Sequence, residues 1–255
     1  MSKARDSLGI SWPERIRAIA FDAVGTLIHP VPPVAAIYAE IGRRHGSRLA
    51  HDEIARRFRD AFAQSEAETP DDPADWDRLD RRRCDEAGER NRWRTIVTTV
   101  LEDADDPDAC FEELFAHFAQ PSAWAAFPDV TDALTELRER GLRTAIASNF
   151  DARLLGLCRE MPELREIDAK IVSSLVGYRK PSGAFYRALV DACDVDADEI
   201  VMVGDDWTND VLGARRAGLQ AVLLRRDARH GSNPGAPKPT AIRSLRALSG
   251  ILVAR

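Results

Sequence analysis

The chain has no apolar run near the roughly 18 residues that a membrane span needs. Its opening stretch, MSKARDSLGISWPERIRAIAF, also lacks the unbroken apolar segment of a signal peptide, so a cytoplasmic location without membrane contact is expected. Cysteine is sparse. Cys84, Cys110, Cys158 and Cys193 form no CxxC pair and have no histidine at zinc-ligand spacing, which reads as reduced core thiols. Positive charge is not in excess: 36 Lys and Arg stand against 42 Asp and Glu, a net charge of −6, which leaves no basic surface for nucleic acid. The cluster Arg81, Arg82, Arg83 reads as a solvated helix face. Lysine is rarer still, with only Lys3, Lys170, Lys180 and Lys238 among the basic residues, so a lysine at any site is a marked choice over arginine.

What remains is ordinary for a folded protein: 44% apolar and 31% charged residues over 255 positions, enough for a core plus a smaller second unit. Ile16 to Phe21 is a short apolar run that ends at Asp22 and the turn-prone Gly25, the pattern of a first strand. From Val31 to Gln120 the periodicity becomes helical, as in Ile54, Phe58, Phe62 and in Trp93, Ile96, Val97, Val100. The acidic, proline-bearing stretches at 69–77 and 102–109 break it. After Pro121 helices alternate with apolar runs at Thr144 to Ala147, Lys170 to Ser174, Glu199 to Gly204 and Gln220 to Leu224. This predicts an α/β fold, a Rossmann-like parallel sheet core from 1–30 and 121–255 with an inserted all-helical unit over 31–120. The Gly- and Pro-rich loop at 228–239 is expected to be mobile, with TAIRSLRALSGIL closing the fold.

In an open parallel sheet, ligands bind beyond the carboxyl ends of the strands. Four polar clusters fall at such ends: Asp22; Ser148 with Asn149; Lys180; and Asp205 with Asp210. Each has a plainer reading. Asp22 would serve as a strand-end turn, Ser148 as a helix cap, Lys180 as a solvated charge, and the GDxxxxD stretch as an N-cap with negative charge near a helix start. Gly25 and Gly204 suit either tight turns or close backbone approach.

Taken in order, FDAVGTL, ASNFD, YRKP and VMVGDDWTND resemble the four motifs of the haloacid dehalogenase-like (HAD) superfamily, and the helical insert resembles its cap. The resemblance implies a hydrolase with Asp22 as nucleophile, attacking an electrophile to form a covalent intermediate. It implies Mg²⁺ held by Asp22, Asp205 and the backbone carbonyl of Val24, with Asp210 accepting through a water. Ser148 and Asn149 would donate to phosphoryl oxygens, Lys180 would neutralise charge, and Thr26 would hold the first loop at a small, phosphorylated substrate.

One position departs from the family's phosphatase pattern. Where those enzymes carry a second Asp two residues after the nucleophile, to protonate the leaving oxygen, this chain has Val24. Such help is worth about 10²- to 10⁴-fold, so poor leaving groups suffer most. His29 is a candidate substitute, or an exposed turn residue beside Pro30. The family's metal-independent 2-haloacid dehalogenases also lack that Asp, and Tyr186 matches their spacing, although it also fits a helix core. Trp207 stands where they are expected to have Asn, and Asp205 fits the metal-binding pattern instead. The arginine that grips their substrate's carboxylate is not assignable, with Arg43 and Arg44 candidates by location alone. A non-catalytic member that binds a phosphorylated ligand or a protein is the third reading. Trp76, Trp93 and Trp124 are read as packing residues or as crevice lining.

Overall fold

A computed structural model describes residues 16–66, 83–226 and 241–252. The first strand is β1 (Ala18–Phe21), and all four of its residues are buried. Ala18 and Ala20 face one core while Ile19 and Phe21 face the other, so the continuous apolar run marks a strand covered on both sides. After β2 (Ile28–Pro30) come, among the described residues, four helices: α1 (Val34–Arg44), α2 (His51–Glu66), α3 (Glu86–Val100) and α4 (Pro107–His117). They enclose a core of their own around Ile37, Tyr38, Ile96 and Phe111. The break at 102–109 works as anticipated, since Asp106 caps α4 by accepting from the Ala109 N–H at 2.9 Å and Pro107 occupies the first turn, where a missing N–H costs nothing. The other break, at 69–77, and with it Trp76, Arg81 and Arg82, lies outside the described residues.

The chain returns through β3 (Trp124–Ala126), which pairs antiparallel with β2. This small pair was not anticipated, because three-residue strands carry no periodicity. It ties together the two connections that lead to and from the four helices.

The α/β part follows: α5 (Val130–Glu139), β4 (Arg143–Ser148), α6 (Arg153–Glu160), α7 (Pro162–Arg165), β5 (Ala169–Val172), α8 (Ser173–Val176), α9 (Gly183–Cys193), β6 (Ile200–Gly204), a π-helical turn at Trp207–Leu212, α10 (Gly213–Arg216), β7 (Gln220–Leu224), β8 (Ala241–Ile242) and α11 (Ala247–Leu252). The strand expected from Lys170 to Ser174 starts one residue earlier and stops at Val172, because the buried hydroxyl of Ser173 donates to the Phe150 carbonyl at 3.0 Å and turns the chain into α8. The loop at 228–239 lies outside the described residues.

Among the described residues, the main sheet has six parallel strands in the order β5-β4-β1-β6-β7-β8. From β1 the chain builds outward through β4 and β5, then crosses to β6 on the other side. The crevice at this reversal lies beyond the carboxyl ends of β4, β1 and β6. Phe21 stands in register with Ile146 of β4 and Val203 of β6, which brings the residues after each strand to one level.

Candidate active site

Asp22 continues β1, its N–H donating to the Val203 carbonyl at 2.9 Å, so its carboxylate emerges at the centre of the sheet. Glycines flank it where side chains would collide. A Cβ on Gly204 would lie 2.1 Å from Oδ2 of Asp210, and one on Gly25 (φ +87°) would lie 2.4 Å from Oδ2 of Asp205. Packed against bare backbone, carboxylate oxygens of Asp22, Asp205 and Asp210 come within 4.8 Å of one another.

Lys180 reaches this cluster from the loop before α9 and is only 2% exposed. Its Nζ donates to Oδ1 of Asp22 (2.8 Å), Oδ1 of Asp210 (2.6 Å) and the Ala147 carbonyl (2.7 Å), which uses all three ammonium protons. Burial by itself would favour neutral lysine, but the charges of Asp210 and Asp22 outweigh it and hold the ammonium above the usual lysine range. Two of the three clustered carboxylates thus share one cation, with Asp205 beside them. The Asp210 carboxyl is raised by burial despite Lys180, with Asp22 adding repulsion. Asp205 opens onto the crevice water, yet desolvation by its dense surroundings, followed by repulsion from Asp22 and Asp210, also pushes its carboxyl well above the ordinary range. Such a donor set, all hard oxygens with a surplus of negative charge, fits a divalent cation such as Mg²⁺.

The other anticipated residues divide. Val24 and Ser148 line the crevice beside Asp22. Asn149 also lines the crevice, but its side chain is held by the chain itself: its Oδ1 accepts from the Lys180 N–H at 2.7 Å and its Nδ2 donates to the Lys180 carbonyl at 3.1 Å. It is a clamp on the backbone that carries the lysine. Thr26 is not a substrate contact, because it is fully buried and does not line the crevice. Its carbonyl accepts from Arg226 Nη2 at 2.7 Å, which is how this loop is tied down. His29 packs its ring on Phe127 at 4.6 Å between centroids and does not line the crevice, so the geometry gives its reading as a substitute acid no support. Tyr186 is core, with its hydroxyl donating to the Asn209 carbonyl, and Arg44 pairs with Glu113 at 2.6 Å. Neither Arg43 nor Arg44 lines the crevice, whereas Trp93 and Trp124 do.

Sequence reasoning missed Arg92, Arg153 and Arg179, which all enter the crevice. Arg179 donates to Glu89 at 2.8 Å and to Glu66 at 2.7 Å, Arg92 also donates to Glu66, and Arg153 pairs with Asp151 at 2.7 Å. Arg179 adjoins Lys180 and Arg153 follows Asn149 by four residues, which was the signal available. Arg92 carried none.

A doubly wound parallel sheet whose switch point presents an acid cluster around one buried lysine, beneath a set of inserted helices, defines a hydrolase-type α/β architecture. The chain belongs to the haloacid dehalogenase-like hydrolase family, whose model matches residues 16–218. It is 25% identical over 215 residues to haloacid dehalogenase-like hydrolase domain-containing protein 3 of Homo sapiens, covering 82% of each chain. Among solved structures it resembles a HAD phosphatase from Thermococcus onnurineus (24% identity, TM-score 0.64, 94% of this chain and 99% of that one). It resembles equally an L-2-haloacid dehalogenase from Xanthobacter autotrophicus with chloropropionic acid covalently bound (19% identity, TM-score 0.69, 93% and 98%). The fold is therefore common to both chemistries, and only the side chains can separate them.

Proposed function

We propose that this protein is an Mg²⁺-dependent hydrolase of small phosphorylated molecules, with residues 1–30 and 121–255 as its core and 31–120 as a cap. The observation that carries this reading is the unequal charge count at the switch point, three clustered carboxylates against one lysine. Asp22 and Asp205 would hold the ion with the Val24 carbonyl. Each oxygen of Asp210 already accepts a hydrogen bond, from Lys180 and from the Asp206 N–H at 3.0 Å, which favours contact with the ion through a water. When bound, the ion supplies the positive charge that an anionic nucleophile needs to approach a phosphate dianion.

Asp22 attacks phosphorus, the leaving oxygen departs with its electron pair, and water then hydrolyses the aspartyl phosphate. Lys180 orients the Asp22 carboxylate, and Ser148 donates to a phosphoryl oxygen. The haloacid reading has weaker support, because Arg92, Arg153 and Arg179 are each already matched by an acid and Tyr186 is spent on a backbone carbonyl.

The test compares acetyl phosphate, para-nitrophenyl phosphate and an alkyl phosphate with and without Mg²⁺, alongside halide release from 2-haloacids. Turnover of the first two that EDTA removes, Mg²⁺ restores and Asp22→Asn abolishes is the expected result. Halide release that survives EDTA would replace this reading with the dehalogenase one, and inertness throughout would leave a binding protein.

A further inference from the structure

We propose that the substrate is a phosphate ester of an uncharged aromatic alcohol, a phenol-like leaving group housed in the crevice between the sheet and the four helices. This rests on the phosphatase-type reading above and adds the chemistry of the leaving group.

Three observations converge. First, the cavity that begins at Asp22 and Asp205 has a volume of about 1270 Å³ and extends to α1–α4, far beyond what a phosphoryl group fills. Second, its outer wall is aromatic. Phe58, Phe62, Trp93, Phe115, Phe118 and Trp124 all face it, and each is partly exposed rather than buried. Phe62 stacks on Phe58 with centroids 5.9 Å apart and stays 36% exposed, a cost in water that a ligand's apolar face would remove. The guanidinium of Arg153 lies 3.7 Å from the Phe115 centroid and that of Arg92 lies 5.2 Å from the Phe62 centroid, which fixes two of the rings in place. Third, the cavity is lined by Arg92, Arg153, Arg179 and Arg216, and the first three are held in ion pairs with acids. Arg92 and Arg179 face Glu66 and Glu89, and Arg153 faces Asp151, so no surplus cation remains among these three for a second anionic substituent.

Val24 narrows the class further. With no acid at that position to protonate the departing oxygen, the P–O bond breaks most readily when the electron pair leaves on an oxygen that tolerates negative charge. A phenolate does so, and an alkoxide does not. The step balances with water alone: Asp22 forms a bond to phosphorus, the aryl oxygen leaves with its electron pair and takes a proton from water, and a second attack by water frees inorganic phosphate.

The experiment measures kcat/KM with Mg²⁺ for phenyl phosphate, 1-naphthyl phosphate, a hexose phosphate and acetyl phosphate. Phenol and naphthol leave with similar ease, so their ratio reports the wall. The naphthyl ester is expected to exceed the phenyl ester about 10-fold, and the hexose phosphate by more. Phe62→Ala, at a partly exposed ring, should cut the naphthyl-to-phenyl ratio by about 3-fold or more, with Phe115→Leu as a second wall variant. Leu175→Ala, at an exposed residue of α8 outside the crevice, should leave it unchanged. A ratio near one, a preference for the hexose phosphate, or a ratio indifferent to both wall variants would overturn this inference while Mg²⁺-dependent acetyl phosphate turnover persists. Loss of that turnover in the unmodified protein would instead overturn the reading beneath it.

Discussion

Lys180 donates to Asp22, Asp210 and Ala147, and Val24 offers no proton, so these two crevice residues set opposite limits on the proposed nucleophile. The lysine orients one carboxylate oxygen, and the valine withholds help from the leaving group. Val24→Asp is expected to raise kcat on alkyl phosphates by about 10- to 100-fold, below the full range of general acid catalysis because the new carboxyl joins an already acid-rich cluster. Acetyl phosphate should gain much less, and equal gains on both would count against the missing-acid account. At this scale the sequence was partly legible. Asp22, Asp205, Asp210 and Lys180 were visible as polar residues following apolar strands or, for the lysine, as a rare residue type. The partners of Asn149 and Thr26 were not, because an amide serves equally well at a ligand or at a backbone, and only coordinates show that Asn149 spends its side chain on Lys180.

Among the elements, α3 ties the helices to the sheet through two acids. Glu86 at its start accepts from the Ala152 N–H at 2.9 Å and from the Ser174 hydroxyl, and Glu89 one turn later accepts from Arg179 beside the site. Glu89 is 2% exposed, so Glu89→Ala would leave a largely buried guanidinium with Glu66 as its remaining acid of the pair. The expected loss is about 3 kcal/mol, read as a lower urea midpoint, with Glu89→Gln recovering part of it. An unchanged midpoint would show that Glu66 suffices. The helices themselves were readable from their 3.6-residue periodicity. The strands β2 and β3 and the early end of β5 were not, since each depends on a partner distant in sequence.

For the molecule as a whole, the last described segment is anchored through Asp129. Its carboxylate pairs with Arg226 at 2.9 Å and accepts from the Ser244 hydroxyl at 2.7 Å and the Leu245 N–H at 2.8 Å. Burial pushes its pKa up, but the hydrogen bonds and the Arg226 charge win and hold it below the usual 3.8. A depressed carboxylate contributes stability that is fully present above the unfolded value and is lost as pH falls through the folded one. Asp129→Asn should therefore be less stable than the parent at pH 7, and the gap should close once the parent's carboxyl is protonated below that window. Urea midpoints at pH 7 and pH 3 check this, and a gap that stays constant would remove Asp129 from the acid response.

The order of strand-end clusters, the two-sided burial of β1, the helical insertion and the loss of an acid at Val24 were all determined by the chain alone, because each is a local pattern of residue types along the backbone. Which carboxylates share the lysine, which arginines are neutralised by which glutamates, and which aromatic rings of α2, α3 and α4 turn toward the crevice were decided only on folding. A ring at helical spacing satisfies a core and a cavity wall equally well, and the choice between them depends on what the neighbouring elements leave open.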